Sequence, residues 1–199
     1  MTVATLASDK APEVITLLCE SFFDYPVMRF VVGGDESGYG PRLEILIRLF
    51  VMARVFRGEL MLGLGEPSAL GGVALVSRPE GETPPEFTEF REGIWAQLGD
   101  GPRARYDACG EAWAPLDVER PNLHLNMIGV RRKTQGRGAG RRLADHVHRL
   151  SREDPHSEGV TLTTENEANV SFYRHLGYEL VGEQQIAPGL RTWGFFRPD

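Results

Sequence analysis

Apolar positions along the chain switch between two spacings, and the switches mark out its elements. Thr2–Leu6 reads as a short first strand. Ser8 or Asp9 can cap a helix running to about Phe23, with Pro12 in its first turn and Val14, Leu17, Leu18 and Phe22 on one stripe. Pro26 and the glycines Gly33, Gly34, Gly38 and Gly40 then break the pattern. Leu43, Leu46, Ile47, Phe50 and Val51 repeat at helical spacing from Pro41, a good first helical residue, to about Arg57. The apolar runs Glu59–Leu64 and Leu70–Ser77, joined by Gly65, Glu66, Pro67 and Ser68, predict a hairpin. Alternation predicts a strand over Leu123–Val130, with Leu123, Leu125 and Met127 on one face and His124, Asn126, Ile128 and Val130 on the other. A helix from Gly138 to about Asp154 follows, turning Leu143, Val147 and Leu150 inward. Next come a strand at Val160–Thr163, a short helix from Glu167 to His175 ended by Gly177, and strands Tyr178–Gln185 and Leu190–Arg197 around Pro188 and Gly189. Hairpins in one half and strand–helix alternation in the other predict an α+β architecture with a mixed sheet, in one domain over residues 1–199.

Composition changes this picture in two places. The whole chain is 41% hydrophobic and 25% charged, ordinary for a soluble globular protein. No apolar run approaches the roughly 20 residues of a membrane span, and Val14–Phe23 is short and holds Glu20, so neither a signal peptide nor a membrane partner is expected. Cys19 and Cys109 match no metal or redox spacing, which points to a reducing, cytoplasmic setting. A net charge of −6 argues against nucleic acid as a partner. Yet Arg131, Arg132, Lys133, Arg137, Arg141 and Arg142 lie within twelve residues that hold none of the chain's 28 carboxylates, a spot suited to a small polyanion. Conversely, Pro79–Pro121 carries ten acidic residues against four basic ones, with Phe87, Phe90, Ile94 and Leu98 spaced for one amphipathic helix, and reads as an acidic insertion.

Gln135, Gly136, Arg137, Gly138, Ala139 and Gly140 follow a strand and open a helix. There glycines let backbone N–H groups approach an anion, and the helix start supplies unpaired donors. With 23 glycines in 199 residues, such a triplet arises by chance in about 0.3 of chains; the six cations beside it give it weight. Neither a dinucleotide fingerprint nor a Walker loop fits: the sixth position from Gly136 is Arg141, and no Gly-Lys-Ser/Thr occurs.

Gln135–Gly140 resembles the Q/R-x-x-G-x-G/A motif of the GNAT acetyltransferases, and Asn166, Asn169, Phe172, Tyr173, Gly177 and Tyr178 resemble that family's N-x-x-N-x-x-F-Y-x-x-x-G-F/Y signature. The resemblance covers about Leu123–Arg197. It implies a mostly antiparallel sheet of about seven strands flanked by helices and splayed at the coenzyme-binding strands, and an N-acetyltransferase that uses acetyl-CoA as cosubstrate without a metal. Gln135, Gly136, Arg137, Gly138, Ala139, Gly140 and Arg141 would hold the pyrophosphate; Ile128, Gly129, Val130, Asn166 and Asn169 would line the pantetheine arm. Tyr173 would face the thioester sulfur. A phenol near 10 facing a thiol of about 8.5 transfers a proton for roughly 2 kcal/mol, so Tyr173 can serve as acid or as hydrogen-bond donor. His124, on the polar side of its strand and of a type that titrates near neutrality, is the first candidate base, acting with Asn126; Glu165 or a carboxylate of the insertion is the alternative. His146 and His148, two apart on a helix, point away from each other and make no metal site. The acceptor would be a primary amine of a small molecule covered by the acidic insertion with Trp95, Tyr106 and Trp113. Protein or peptide acetylation and a non-catalytic coenzyme A-binding module remain open alternatives, and the resemblance also implies a homodimer paired through terminal strands.

Overall fold

A computed structural model describes residues 2–33, 36–66, 69–78 and 82–199. Gly34, the turn residues Pro67 and Ser68, and the first residues of the acidic segment, Pro79, Glu80 and Gly81, lie outside the described residues. Seven strands form one sheet: β1 (Val3–Thr5), β2 (Leu60–Glu66), β3 (Ala69–Ser77), β4 (Leu123–Val130), β5 (Gly159–Thr164), β6 (Glu179–Ala187) and β7 (Leu190–Pro198). Their spatial order is β1-β2-β3-β4-β5-β7-β6, and every pairing is antiparallel except β4 with β5. The helices are α1 (Ala11–Phe22), α2 (Pro26–Val32), α3 (Glu36–Arg57), α4 (Pro85–Leu98), α5 (Asp100–Trp113), α6 (Ala139–Glu153) and α7 (Ala168–His175). One apolar core packs α1 to α5 against one face of the sheet. The second packs α6, with Tyr173 and Leu176 of α7's end, against the other. Among the described residues no helix is long and apolar enough to cross a membrane.

Several elements differ from the sequence reading, each for a local reason. Ser8 and Asp9 lie in a short 3₁₀ turn without a side-chain cap, and α1 starts at Ala11. Pro26 begins a helix instead of ending one; its fixed φ suits the first helical position. Arg105 of α5 then closes that helix, donating from Nε to Val31 O at 3.0 Å and from Nη2 to Val32 O at 3.2 Å. Pro41 stands inside α3, which starts five residues before it. The acidic segment makes two helices where one was expected. The second holds Gly101, Pro102 and Gly110, poor helix formers, and is supported by packing of Pro102, Cys109 and Ala112 and by the Tyr106 ring against Phe50, Trp95 and Trp113.

The most consequential difference is a β-bulge. Leu75 pairs with Met127 and Val76 with Leu125, so Asn126 has no partner on β3. The extra residue flips the alternation expected from period two. Leu123 and Leu125 face the α6 core with Ile128 and Val130, whereas Met127 crosses to the α1 side. Beyond the bulge β4 and β5 part: the two are paired only at Leu123 with Val160 and His124 with Thr161, leaving the rest of each strand's facing edge open. The sheet therefore splits where the sequence motifs converge.

Candidate active site

Through that split runs a cavity of about 820 Å³. At one end stands the glycine loop. Gly136 and Gly138 have φ of +72° and +74°, and a Cβ on either would meet no atom within 4 Å. It is thus the left-handed backbone, not crowding, that requires glycine. Gly138 leads directly into α6. Its carbonyl takes Arg142 N at 3.0 Å and no side chain caps the helix, so the N–H groups of Ala139, Gly140 and Arg141 point out of the helix end without intrahelical partners. Such a cradle fits a diphosphate.

The basic run around it is partly spent within the protein. Arg131 bonds Glu20 at 2.6 Å and Leu70 O at 2.9 Å, Arg132 lies 3.5 Å from Asp24, and Arg141 lies 3.5 Å from Asp145. Lys133 and Arg137 make no ion pair among the described residues and remain exposed at the mouth. Gln135 turns its carboxamide back to Val130 O at 3.1 Å, bracing the loop against β4.

Nine of the expected site residues line the cavity together: His124, Asn126, Ile128, Val130, Gln135, Gly140, Asn166, Asn169 and Tyr173. Gly136, Arg137, Gly138 and Arg141 sit exposed at its rim, while Ala139 is buried in the α6 core. Gly129 faces elsewhere. A Cβ there would stand 2.9 Å from Leu18 and 3.1 Å from Ser21 Oγ, so it serves the close passage of α1. Asn166 precedes α7, and its Oδ1 accepts the N–H of Ala168 at 3.1 Å. Asn169 donates to Thr164 Oγ1 at 3.2 Å.

Tyr173 is 5% exposed among the rings of Phe172, Tyr178 and Phe195. Among the described residues no protein group bonds its hydroxyl. Burial, with the nearby Glu165 charge, pushes its pKa well above the ordinary phenol value. Outright proton transfer to a thiolate is therefore costlier than unperturbed values suggest, and the role that survives is donation of a hydrogen bond.

His124 differs from its sequence reading. Burial first, and the charge of Arg54 second, lower its pKa to about 4, so the ring stays neutral at physiological pH. Its tautomer follows from the bonds around it. Asn122 Nδ2 donates to Arg120 O at 2.8 Å, so its Oδ1 is the acceptor for the Thr161 hydroxyl at 2.7 Å. That hydroxyl has one proton, already given; the 2.9 Å contact between Thr161 Oγ1 and His124 Nδ1 must then be donated by the histidine. Nε2 is left with its lone pair.

Glu165, at the end of β5, is a stronger base. Its Oε1 accepts from Trp113 Nε1 at 3.0 Å and Thr192 Oγ1 at 2.8 Å, its N–H donates to Tyr25 OH at 3.0 Å, and burial raises its pKa. Tyr25, absent from the sequence reading, ties α2's start to Thr164 at 2.9 Å and so fixes this corner.

The opposite end of the cavity is lined by Phe50, Ala53, Arg54 and Arg57 of α3 and by Phe87, Arg91, Tyr106 and Trp113 of α4 and α5. The acidic segment meets this end of the cavity through Phe87, Arg91, Tyr106, Trp113 and Asp117 more than through its acids. Of the segment's described carboxylates only Asp117 lines the cavity, because the helices bury their aromatic stripes and turn the glutamates to solvent. Trp95 belongs to the core. The arginines had a legible signal: positions 50, 53, 54 and 57 are one helical stripe passing from apolar to basic. Among the described residues no cluster of three His, Cys, Asp or Glu side chains could hold a metal ion.

Residues 113–194 match the family described as an acetyltransferase (GNAT) domain. Solved structures similar to the whole chain include histone acetyltransferase HPA2 and related acetyltransferase from Corynebacterium glutamicum, at 17% identity and TM-score 0.72, covering 100% of this chain and 96% of that one. Another is the Drosophila melanogaster polyamine N-acetyltransferase that forms N-acetylagmatine, at 15% identity and TM-score 0.68, covering 98% and 97%. A third is ribosomal-protein-alanine N-acetyltransferase from Brucella melitensis, at 14% identity and TM-score 0.58, covering 100% of both chains. At such identities the likeness is one of fold.

Proposed function

We propose, from the match of residues 113–194 to an acetyltransferase (GNAT) domain and from the fold the whole chain shares with solved acetyltransferases, that the protein transfers the acetyl group of acetyl-CoA to the primary amine of a small molecule by direct attack. The observation that carries this reading is the continuity of one cavity, from the loop ahead of α6, past Tyr173, to a chamber holding His124 and Glu165. The unpartnered N–H groups of Ala139, Gly140 and Arg141 suit the pyrophosphate, with Lys133 and Arg137 adding charge at the mouth. The unpaired edge of β4 from Asn126 to Val130, with Asn166 and Asn169 opposite, suits the extended amide arm. A polyamine N-acetyltransferase is among the proteins that share this fold.

Acetyl-CoA, when bound, supplies a thioester whose acyl carbon accepts an amine and whose thiol leaves. The remaining work falls to the protein. His124 Nε2, bare in the tautomer set by Thr161, accepts a hydrogen bond from the entering amine and orients its nitrogen. Asn126, on the bulge, offers its amide to the same group. Glu165 accepts the proton that the ammonium loses. As the new C–N bond forms and the C–S bond breaks, the electron pair goes to sulfur, where the Tyr173 hydroxyl donates a hydrogen bond to it, and the second proton lost by the amine nitrogen ends on that sulfur as the free thiol.

Tyr173→Phe tests this assignment. The ring packing is kept and the donor is lost, so kcat is expected to fall about a hundredfold while the KM for acetyl-CoA changes little. An unchanged kcat in steady-state thiol release would remove Tyr173 from the reaction.

A further inference from the structure

The chamber beyond Tyr173 has an electrostatic character that a simple amine does not explain. Its base carries three guanidinium groups, Arg54, Arg57 and Arg91. Arg54 is spent: it is 6% exposed, and its Nε pairs with Glu59 Oε2 at 2.6 Å. Among the described residues the other two have no carboxylate of their own. Arg57 donates from Nη2 to Thr83 Oγ1 at 2.5 Å and stands 5.6 Å from the Phe87 ring centre, while its Nε is buried without an acceptor. Arg91 reaches a carboxylate only at 3.9 Å, that of Glu92, whose two oxygens already receive Arg103 at 2.7 and 3.3 Å. Glu165 and Asp117 are the carboxylates that line the cavity. Glu165 accepts from Trp113 Nε1 and Thr192 Oγ1, and among the described residues neither Glu165 nor Asp117 makes an ion pair with Arg57 or Arg91. Arg57, half-buried against Phe87 with its Nε unsatisfied, is partly desolvated without a carboxylate partner among the described residues, while Arg91 is 42% exposed beside it; a guanidinium fork matches a carboxylate in two parallel bonds.

We propose that the acceptor is an amino acid or short peptide whose carboxylate is held by Arg57 and Arg91, its apolar body resting on Phe87, Tyr106 and Trp113 and its amine meeting His124 and Glu165. This deepens the acetyltransfer reading of the same cavity and rests on it. A diamine, by contrast, would bring a second cation to a basic wall.

Matched pairs differing only in the acid test the proposal: 5-aminopentanoate against 1,5-diaminopentane, phenylalanine against 2-phenylethylamine, and phenylalanylglycine against its amide. Each is measured twice, by thiol release from acetyl-CoA and by calorimetric binding to the protein saturated with coenzyme A. At least one carboxylate member is expected to exceed its partner about tenfold or more in kcat/KM and in affinity. Arg57→Gln and Arg91→Gln should each remove most of that preference, and Arg57→Lys should keep part of it, with melting curves showing all variants folded. A preference for the diamine or the amide, or a preference for acids that survives both glutamine variants, overturns the proposal. Turnover without any acid preference overturns it while acetyl transfer stands. Arginine-dependent binding of acids without turnover supports the carboxylate site and overturns acetyl transfer.

Discussion

Two candidate bases share the cavity, and their environments move them in opposite directions. Glu165 works only as carboxylate, and burial raises its pKa above 4.5; the catalytic rate is then full above that raised value and falls as pH drops through it. His124 gives up its proton at about 4, so it contributes no limb near neutrality. At saturating acceptor, kcat should show an acid limb above pH 4.5. Glu165→Gln, whose amide oxygen still accepts from Trp113 and Thr192, should lower kcat about a hundredfold and abolish that limb. His124→Gln should lower kcat without moving it. A limb that persists in Glu165→Gln belongs to another group. Sequence position alone had favoured His124, because alternation along Leu123–Val130 tells which side a residue faces but not how dry that side is. Its low pKa comes from burial and from the charge of Arg54, far away in the chain.

At the scale of elements, the glycine loop carries a prediction of its own. Gly138→Ala puts a side chain at φ +74°, which should cost about 1–2 kcal/mol of stability in urea unfolding. Relief of that strain would turn the peptide that starts α6, so acetyl-CoA affinity by calorimetry should fall about tenfold; an unchanged affinity would show that the cradle does not depend on this turn. The loop was legible because phosphate binding imposes a local pattern, glycines at fixed offsets ahead of a helix. The strands and α6 were legible for the same reason, since each carries its apolar period within itself. The bulge at Asn126 was not. It adds one residue without changing the alternation of residue types, and only the pairing of β3, Leu75 to Met127 and Val76 to Leu125, reveals it. Likewise α5 holds Gly101, Pro102 and Gly110 and forms through contacts with α2, α3 and α4. The arginine stripe on α3 had its period in view, yet its meaning depended on α4 closing over it.

For the whole molecule, the two cores on opposite faces of the sheet each contain a histidine kept neutral. His148 lies on the buried face of α6, its Nε2 bonded to Tyr178 OH at 2.7 Å and its Nδ1 to the Arg197 guanidinium. Arg197 can only donate, so Nδ1 must hold a lone pair, and a second ring proton would displace the arginine. Burial and that charge lower the His148 pKa to about 3, as burial and Arg54 lower that of His124 to about 4. Both fall below the unfolded value of 6.5, so the folded state binds fewer protons than the unfolded one. The stability they contribute is full above pH 6.5 and is lost as pH falls toward 4 and 3; for His124 this is on the order of 3 kcal/mol. Glu165, raised by burial, opposes this by favouring the folded state as it takes up a proton. Two histidines against one glutamate should leave a net fall in Tm between pH 6.5 and 5, before most carboxylates titrate. His148→Gln can still accept from Arg197 and donate to Tyr178. It should melt lower than the parent at pH 7.5 but lose less on acidification, so that the two melting curves converge near pH 5. Parallel curves across that range would mean that His148 is not held neutral by the fold and that the acid sensitivity lies in the carboxylates.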